Sequence, residues 1–449
     1  MHKTVVIDIV GLSSSLINEH TPFLKKYTAE KGLNTIVPML PGLTTSVHST
    51  FVTGKWPAEH GIVGNGWYDR ADSEIKFWKQ SNKLVLAEKI WERAKKTDPS
   101  FTCSKMFWWY NMYSGADYSV TPRPNYLADG RKLPDCYSHP AELRDELQKE
   151  LGQFPLFKFW GPATDVSSTQ WIADASIYTD KKYDPTLTLI YLPHLDYCLQ
   201  KYGQDMHAIS KDLSEIDKIA EQLVNYYTAK KAKIILLSEY GITNVDRPVH
   251  INRELRKNDF LQIRTERGLE LLDPGASKAF AVADHQLAHI YINDPSVTSQ
   301  VRQVLEKTPG IQLILNKEEQ RQYHIDHERS GDLVVVADER SWFTYYFWLD
   351  DAKAPDYARA VDIHKKPGYD PVELFMTSKA RAGYKLLRKK LGLRYVMDVI
   401  PLNAGLIKGS HGRLVKENEF HPVLINGQLK DQQIKATEVY DLIWNSLTN

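Results

Sequence analysis

The chain is predicted to be an α/β protein, with a central, mostly parallel sheet covered by helices on both faces. Three observations carry this. The best strand candidates are short, β-branched and apolar almost throughout, without the alternation of a sheet that faces water on one side. Amphipathic helical stretches separate several of them. Three acids, Asp8, Asp196 and Glu239, fall at or just beyond the ends of such strands, where open α/β sheets gather their ligands.

Thr4 to Val10 is a continuous apolar strand interrupted only by Asp8 and closed by Gly11. After it comes Pro41-Gly-Leu-Thr-Thr-Ser-Val-His48, running on through Thr53-Gly54 and His60-Gly-Ile-Val-Gly-Asn65 to Trp67, Tyr68 and Asp69. Hydroxyls, two histidines and a Gly-flanked Asn are concentrated there. A buried acid on a strand and a hydroxyl at a turn-to-helix junction suit metal-assisted attack on phosphorus. Further strands are expected at Leu187 to Leu192, Lys233 to Leu237, His289 to Ile292 and Asp332 to Ala337, and helices at Ala141 to Leu151, His207 to Tyr227 and Ser299 to Thr308.

Two segments break the alternation. Residues 110–182 are turn-rich and aromatic, with Thr121-Pro-Arg-Pro-Asn-Tyr126 and Phe154-Pro-Leu-Phe-Lys-Phe-Trp-Gly-Pro162, and are expected to cap the cleft. Residues 293–365 are expected as a second elaboration with a strand of its own. The whole chain, 1–449, reads as one catalytic domain without internal repeats.

Composition narrows the partners. With 57 basic and 56 acidic side chains, the net charge shows no footprint for a nucleic-acid polymer or an anionic membrane. An anionic substrate would have to be held by local cations, most simply metal ions. Three scattered cysteines, Cys103, Cys136 and Cys198, make neither a disulfide framework nor a thiolate zinc site. No apolar run is long enough to span a bilayer, and the early first strand leaves no room for a signal peptide. The expectation is a soluble, cytoplasmic protein acting on a small phosphorylated substrate, with no signal for or against a homo-oligomer.

The set Thr44, His48, Thr53-Gly54, Pro57 and His60-Gly-Ile62, with Val5–Gly11, Leu192–Gly203, Leu236–Ile242 and Gly409–Arg413, resembles the alkaline phosphatase superfamily, in its type I phosphodiesterase and nucleotide pyrophosphatase branch. The resemblance implies an alkaline-phosphatase-like fold with inserted cap elements. It implies Thr44 as nucleophile, forming a covalent phospho-threonine; Thr45 is its rival, and a helix N-cap is the plainer role for either. Asn65 would donate to a non-bridging phosphoryl oxygen, although Asn is common in Gly-rich turns. Two divalent ions are implied, zinc by resemblance: one at Asp8, Thr44 and the pair Glu239-Tyr240, the other at Asp196, Gln200 and His411.

The ligand pattern departs from the family at three positions. Gln200 stands where a histidine is expected four residues beyond Asp196, and Ser238-Glu239-Tyr240-Gly241 replaces Ser-Asp-His-Gly. Oxygen donors in place of imidazole shift preference towards manganese or magnesium. His364, before Gly368-Tyr-Asp370, is a further candidate ligand. For His250, His285 and His289, ligation and a histidine satisfied by backbone partners weigh equally, and His48 and His60 are expected to hold the loop rather than a metal. Trp67, Tyr68, Phe107, Trp108, Trp109, Tyr110, Phe159 and Trp160 are candidates for stacking a base or lining an apolar pocket, core packing being the commoner fate. Arg123, Arg131, Lys132, Lys365 and Lys366 are candidates for a second phosphate.

The expected function is hydrolysis of a phosphodiester or pyrophosphate bond. Alternatives within the superfamily are a phosphomonoesterase or a phosphonate hydrolase. A sulfatase is disfavoured, since no Cys/Ser-x-Pro-x-Arg segment surrounds Thr44. The rival from another class is a degenerate member that binds a phosphorylated metabolite or partner without turnover.

Overall fold

In the computed structural model, which describes residues 1–449, thirteen strands build two sheets. In chain order they are β1 (Thr4–Ile9), β2 (Asn34–Val37), β3 (Cys103–Met106), β4 (Tyr118–Pro122), β5 (Cys136–His139), β6 (Leu187–Leu192) and β7 (Lys233–Leu237). Next in the chain are β8 (Ala279–Asp284), β9 (Leu287–Ile292), β10 (Ile311–Leu315), β11 (Leu333–Ala337), β12 (Val423–Ile425) and β13 (Gln433–Lys435). The larger sheet has the order β13-β2-β12-β7-β1-β6-β3-β4-β5. Its centre, β7-β1-β6-β3-β4, is parallel, as is the β2–β13 pair, whereas β12 and the edge strand β5 are antiparallel.

Among the helices are α1 (Thr44–Thr53), α2 (Ala141–Leu151), α3 (Ser167–Tyr183), α4 (His194–Tyr202), α5 (Met206–Ala229), α6 (Lys379–Lys390) and α7 (Glu438–Thr448). Side chains along a strand alternate between faces, and the packing obeys this. Val5, Ile7 and Ile9 join Ile190, Leu192 and Leu236 in a core with α2, α3, α4 and α5. Val6, Leu187, Leu189, Ile235 and Leu237 pack on the opposite face with α1 and α7. Full burial of each such side chain contributes about 1.5–3 kcal/mol. Asp8, in register with Val6, is therefore aimed at α1. Glu239, two residues beyond Leu237, continues the same parity, so the alternation that builds the core also brings these acids towards Thr44.

Strands β8-β9-β11-β10 form a separate antiparallel sheet. It shares a second core with Trp342, Phe343, Tyr345, Tyr346, Phe347 and Trp348. Two sequence expectations are corrected here. Residues 110–182 are not mainly a cap: they supply β4 and β5 to the sheet edge and α2 and α3 to its face, because β5 returns antiparallel on β4 and the turn-rich stretch is the loop between them. The elaboration placed at 293–365 begins earlier, since its sheet opens with the β8–β9 hairpin and takes in the strand expected at His289 to Ile292.

Gly241 lets the segment carrying Glu239 and Tyr240 lie against its neighbours. It bridges Gly11, and a Cβ there would come within 1.8 Å of the Phe420 carbonyl oxygen. Gly241→Ala should cost about 1–3 kcal/mol or more, as overpacking does. Urea denaturation read by circular dichroism would show the loss as a lower midpoint at unchanged slope.

Candidate active site

Thr44 opens α1 directly after the extended residue Leu43 and is almost wholly buried. Its Oγ1 donates to Glu239 Oε1 at 2.9 Å and lies 3.0 Å from the Tyr240 hydroxyl. One turn along the helix, His48 Nε2 sits 2.7 Å from Asp8 Oδ2 and 3.1 Å from Glu239 Oε2. The Trp109 backbone N–H donates to His48 Nδ1 at 3.3 Å, so the imidazole proton belongs on Nε2, and Trp108 stacks on the ring with centroids 4.0 Å apart.

Asp196 lies in the first turn of α4. Its Oδ2 accepts from Gln200 Nε2 at 2.8 Å, while Gln200 Oε1 accepts from the Tyr369 hydroxyl at 2.9 Å. That pair of bonds fixes the amide orientation: Gln200 turns an N–H, not an oxygen, towards Asp196. Tyr240, His411, His285 and Tyr369 form a column of rings with successive centroids 3.6, 3.9 and 3.6 Å apart, the two outer pairs stacked and the two imidazoles tilted by 40°. His411 Nδ1 donates to the Gly42 carbonyl at 2.8 Å, which leaves Nε2 as a bare lone pair, 3.9 Å from Asp196 Oδ1.

The electrostatics ask for a cation. Burial first, then repulsion from Glu239, pushes Asp8 up to about 7 against the pull of His48. Burial also pushes Asp196 to about 7, opposed by its bond to Gln200. For His48 the burial cost is outweighed by Glu239 and Asp8, which raise its proton affinity. His411 and His285 are held well below the usual imidazole range, mainly by burial. No lysine or arginine lies within ion-pair distance of Asp8, Asp196 or Glu239, whose nearest basic groups are the imidazoles of His48 and His411. Asp8 Oδ1, Asp196 Oδ1, Glu239 Oε2 and His411 Nε2 are buried without a hydrogen-bond partner, an arrangement that costs free energy unless something else satisfies those atoms. Asp8 and Glu239, which both meet His48 Nε2, bring carboxylate oxygens close enough together to share one ion. Three carboxylates and a neutral imidazole fit a divalent metal.

Asn65 is held by Asp284, which accepts from its backbone N–H at 2.8 Å and from Nδ2 at 3.1 Å. Asn65 Oδ1 in turn accepts from the Thr45 N–H at 3.3 Å, and Thr45 Oγ1 donates to the Gly64 carbonyl at 2.8 Å. Thr45, the alternative to Thr44, thus has its proton committed to the backbone.

The structure brings together Asp8, Thr44, Asn65, Asp196, Gln200, Glu239, Tyr240 and His411. It does not bring in His364, which is exposed, with Lys132, Lys79 and Asp362 as its charged surroundings. Gln200 and Tyr240, expected as ligands, are engaged in hydrogen bonds instead. Trp67 and Tyr68, expected at the substrate, are buried in the second core, Trp67 beneath Arg329 and Tyr68 edge-on to Phe280 and Tyr291. Of the open histidines, His250 bonds the Thr344 hydroxyl and His289 bonds the Val63 carbonyl and the Gly331 N–H. His60 is likewise satisfied, by Thr50 and the Ile62 N–H. Only His285 reaches the site, carried by the β8–β9 turn at φ 60°, a backbone region rare outside glycine.

Two site residues, Asp284 and Tyr369, escape sequence reasoning. Ala279–Asp284 is an apolar strand ending in an acid, the same signature that singles out Asp8, so Asp284 is findable. Nothing in the sequence marks Tyr369 as the partner of Gln200.

The profile of the type I phosphodiesterase / nucleotide pyrophosphatase family matches residues 4–370. A Saccharomyces cerevisiae ectonucleotide pyrophosphatase/phosphodiesterase 1 is 24% identical over 275 residues, 55% of this chain and 35% of the relative. A Caenorhabditis elegans ectonucleotide pyrophosphatase/phosphodiesterase is 22% identical over 379 residues, 82% of this chain and 38% of the relative. The chain thus spans well under half the length of these two curated relatives. Among solved structures, an inactive form of murine ectonucleotide pyrophosphatase/phosphodiesterase 5 in complex with AMP superposes with a TM-score of 0.60 at 16% identity, covering 100% of this chain and 95% of that one. Phosphonoacetate hydrolase from Sinorhizobium meliloti 1021, in complex with phosphonoformate, gives 0.59 at 14%, covering 100% and 96%. At these identities the likeness concerns the fold, which is alkaline-phosphatase-like.

Proposed function

The chain belongs to the type I phosphodiesterase / nucleotide pyrophosphatase family, and from that premise we propose that it is a metal-dependent hydrolase of phosphodiester or pyrophosphate bonds with Thr44 as its nucleophile. The observation that carries the reading is the Thr44 hydroxyl, bonded to Glu239 and Tyr240 beside carboxylates whose remaining oxygens have no partner. Asp8, Glu239 and Thr44 would hold one divalent ion, and Asp196 with His411 a second, supplying Lewis acidity towards the hydroxyl and the phosphoryl oxygens. Gln200 withholds its oxygen, so the second position has fewer donors and the weaker grip. The oxygen-rich first position favours manganese or magnesium over the zinc that family resemblance suggests.

The protein's own groups do the rest. Glu239 Oε1 already accepts the Thr44 proton in a hydrogen bond and takes it as Oγ1 attacks phosphorus in line. The Tyr240 hydroxyl, on the same oxygen, limits the rotamers of Thr44. The N-terminus of α1 presents its positive end to the phosphate. Asn65 Nδ2 keeps one N–H beyond its bond to Asp284 and turns it to a non-bridging oxygen. The leaving group departs, and water cleaves the phospho-threonine in a second in-line step that returns the proton to Thr44.

The test is turnover on four probes: the p-nitrophenyl ester of thymidine monophosphate, bis(p-nitrophenyl) phosphate, p-nitrophenyl phosphate and phosphonoacetate, each with zinc, manganese or magnesium. The diesters should be the fastest. A faster monoester or phosphonate would replace the diesterase reading with one of its superfamily alternatives. No turnover with any ion would leave a phosphate-binding protein without catalysis.

A further inference from the structure

The near-zero net charge conceals a strong local excess. Between Met376 and Val396 there are seven basic side chains, Lys379, Arg381, Lys385, Arg388, Lys389, Lys390 and Arg394, and no acid. Only Arg381 and Lys385 are paired, both with Asp398; the other five have no carboxylate partner. The same stretch carries seven of the fifteen large hydrophobic side chains that the structure leaves exposed. Tyr384, Leu386, Leu387, Leu391, Leu393 and Val396 are each between 52% and 63% exposed.

These two properties share one element in a definite geometry. α6 touches the body through Ala382, the one buried residue of the helix. Ala380, Gly383, Tyr384, Leu387 and Leu391 recur at spacings of three and four, so they lie on one stripe, and all five are exposed. A soluble helix turns such a stripe inward. Here it faces out, flanked by Arg388 on one side and by Lys379 and Lys390 on the other, and the chain after α6 adds the exposed Leu393 and Val396.

From this we infer that residues 376–396 are a docking surface for an anionic lipid bilayer, on which α6 lies in the interface plane. Leucine, tyrosine and valine would enter the acyl boundary while the lysines and arginines meet the headgroups. At 12 residues, about 18 Å, α6 is too short to span a bilayer, and no helix of the structure is long and apolar enough to do so. The charge argues against the two other obvious occupants. A second copy docked by a two-fold axis through this face would set the cations of one chain against those of its mate. A nucleic-acid backbone would use the cations but leave the leucines in water.

Vesicle co-sedimentation of the full chain tests this, with phosphatidylcholine alone and with phosphatidylcholine mixed with phosphatidylglycerol. The protein should pellet with the mixed vesicles and be released by salt. Lys379→Ala/Lys390→Ala should weaken that binding about 30-fold. Leu387→Ser/Leu391→Ser should abolish it. All four side chains are exposed, so both variants should melt as the parent does and hydrolyse a soluble p-nitrophenyl probe at the parent rate, which keeps this test separate from that of the catalytic reading. Absence of binding to the mixed vesicles would overturn the inference, as would binding that neither variant weakens. So would a concentration-dependent dimer, seen by sedimentation equilibrium, that the leucine variant dissociates.

Discussion

Thr44→Ala should lower turnover by at least about 10³-fold while leaving metal content and the melting curve close to those of the parent. The side chain donates one hydrogen bond to Glu239 and meets Tyr240, and its removal leaves the carboxylates of Asp8, Asp196 and Glu239 in place. Loss of activity with metal retained separates a nucleophile from a structural hydroxyl. Thr45 supplies the control. Its hydroxyl is spent on the Gly64 carbonyl and its N–H on Asn65, so Thr45→Ala should loosen the Asn65 turn and cost no more than about 10–100-fold. Thr44→Ser should recover part of the rate, since an oxygen returns at the same place. If Thr44→Ala kept full activity, or if Thr45→Ala were the dead variant, the assignment would fall.

How much of the fold and site is legible in the sequence depends on whether the signal is local. Strands β1, β6 and β7 announce themselves by nearly continuous apolar runs, and strand parity carries Asp8 and Glu239 to the α1 face. Continuity in sequence is likewise enough for the Thr44–Asn65 segment. What stays hidden is contact between distant segments. The spacing around Asp196 marks Gln200 as an anomaly, yet only the fold shows Tyr369 holding its oxygen, 169 residues away. His285 enters through a hairpin of the second sheet, and nothing in Asp284-His285 distinguishes it from His289, which its own neighbours satisfy. His364 misleads for the opposite reason: its neighbour in sequence, Tyr369, turns inward while His364 stays at the surface. Trp67 and Tyr68 sit beside the motif in sequence but on a strand facing the second core, so proximity along the chain is no guide to the cleft.

The proposed metal requirement has a thermodynamic signature that does not depend on knowing the substrate. Asp8 and Asp196 are pushed up to about 7 in the folded chain, against about 3.9 for an unfolded aspartate. Between those values the native state keeps protons that the unfolded state has released. The contribution of these two aspartates to stability without metal therefore falls as pH rises through that window. The buried neutral histidines, His285 and His411 among them, act the other way below about 6.5, where the unfolded chain takes up protons that they refuse. Below about 4 the aspartates are protonated in both states and their penalty is absent. A divalent ion selects the ionised carboxylates and so stabilises most where the bare site is weakest. In chelator, the melting temperature should drop from pH 7 to pH 8, above the range in which the unfolded histidines titrate. With excess manganese, magnesium or zinc the drop should flatten, and the gap between the two curves should widen with pH. Asp8→Asn makes the contrast sharper. It removes one buried charge and its repulsion of Glu239, so in chelator at pH 8 the variant should melt no lower than the parent. Yet it should bind far less metal by elemental analysis and lose at least about 10³-fold in turnover. A variant that is catalytically dead but as stable as its metal-free parent marks a carboxylate placed for an ion rather than for the fold. A gap between the metal-loaded and chelated melting curves that fails to widen with pH, or an Asp8→Asn protein with full metal content, would show that the partnerless oxygens of this cluster serve some other purpose.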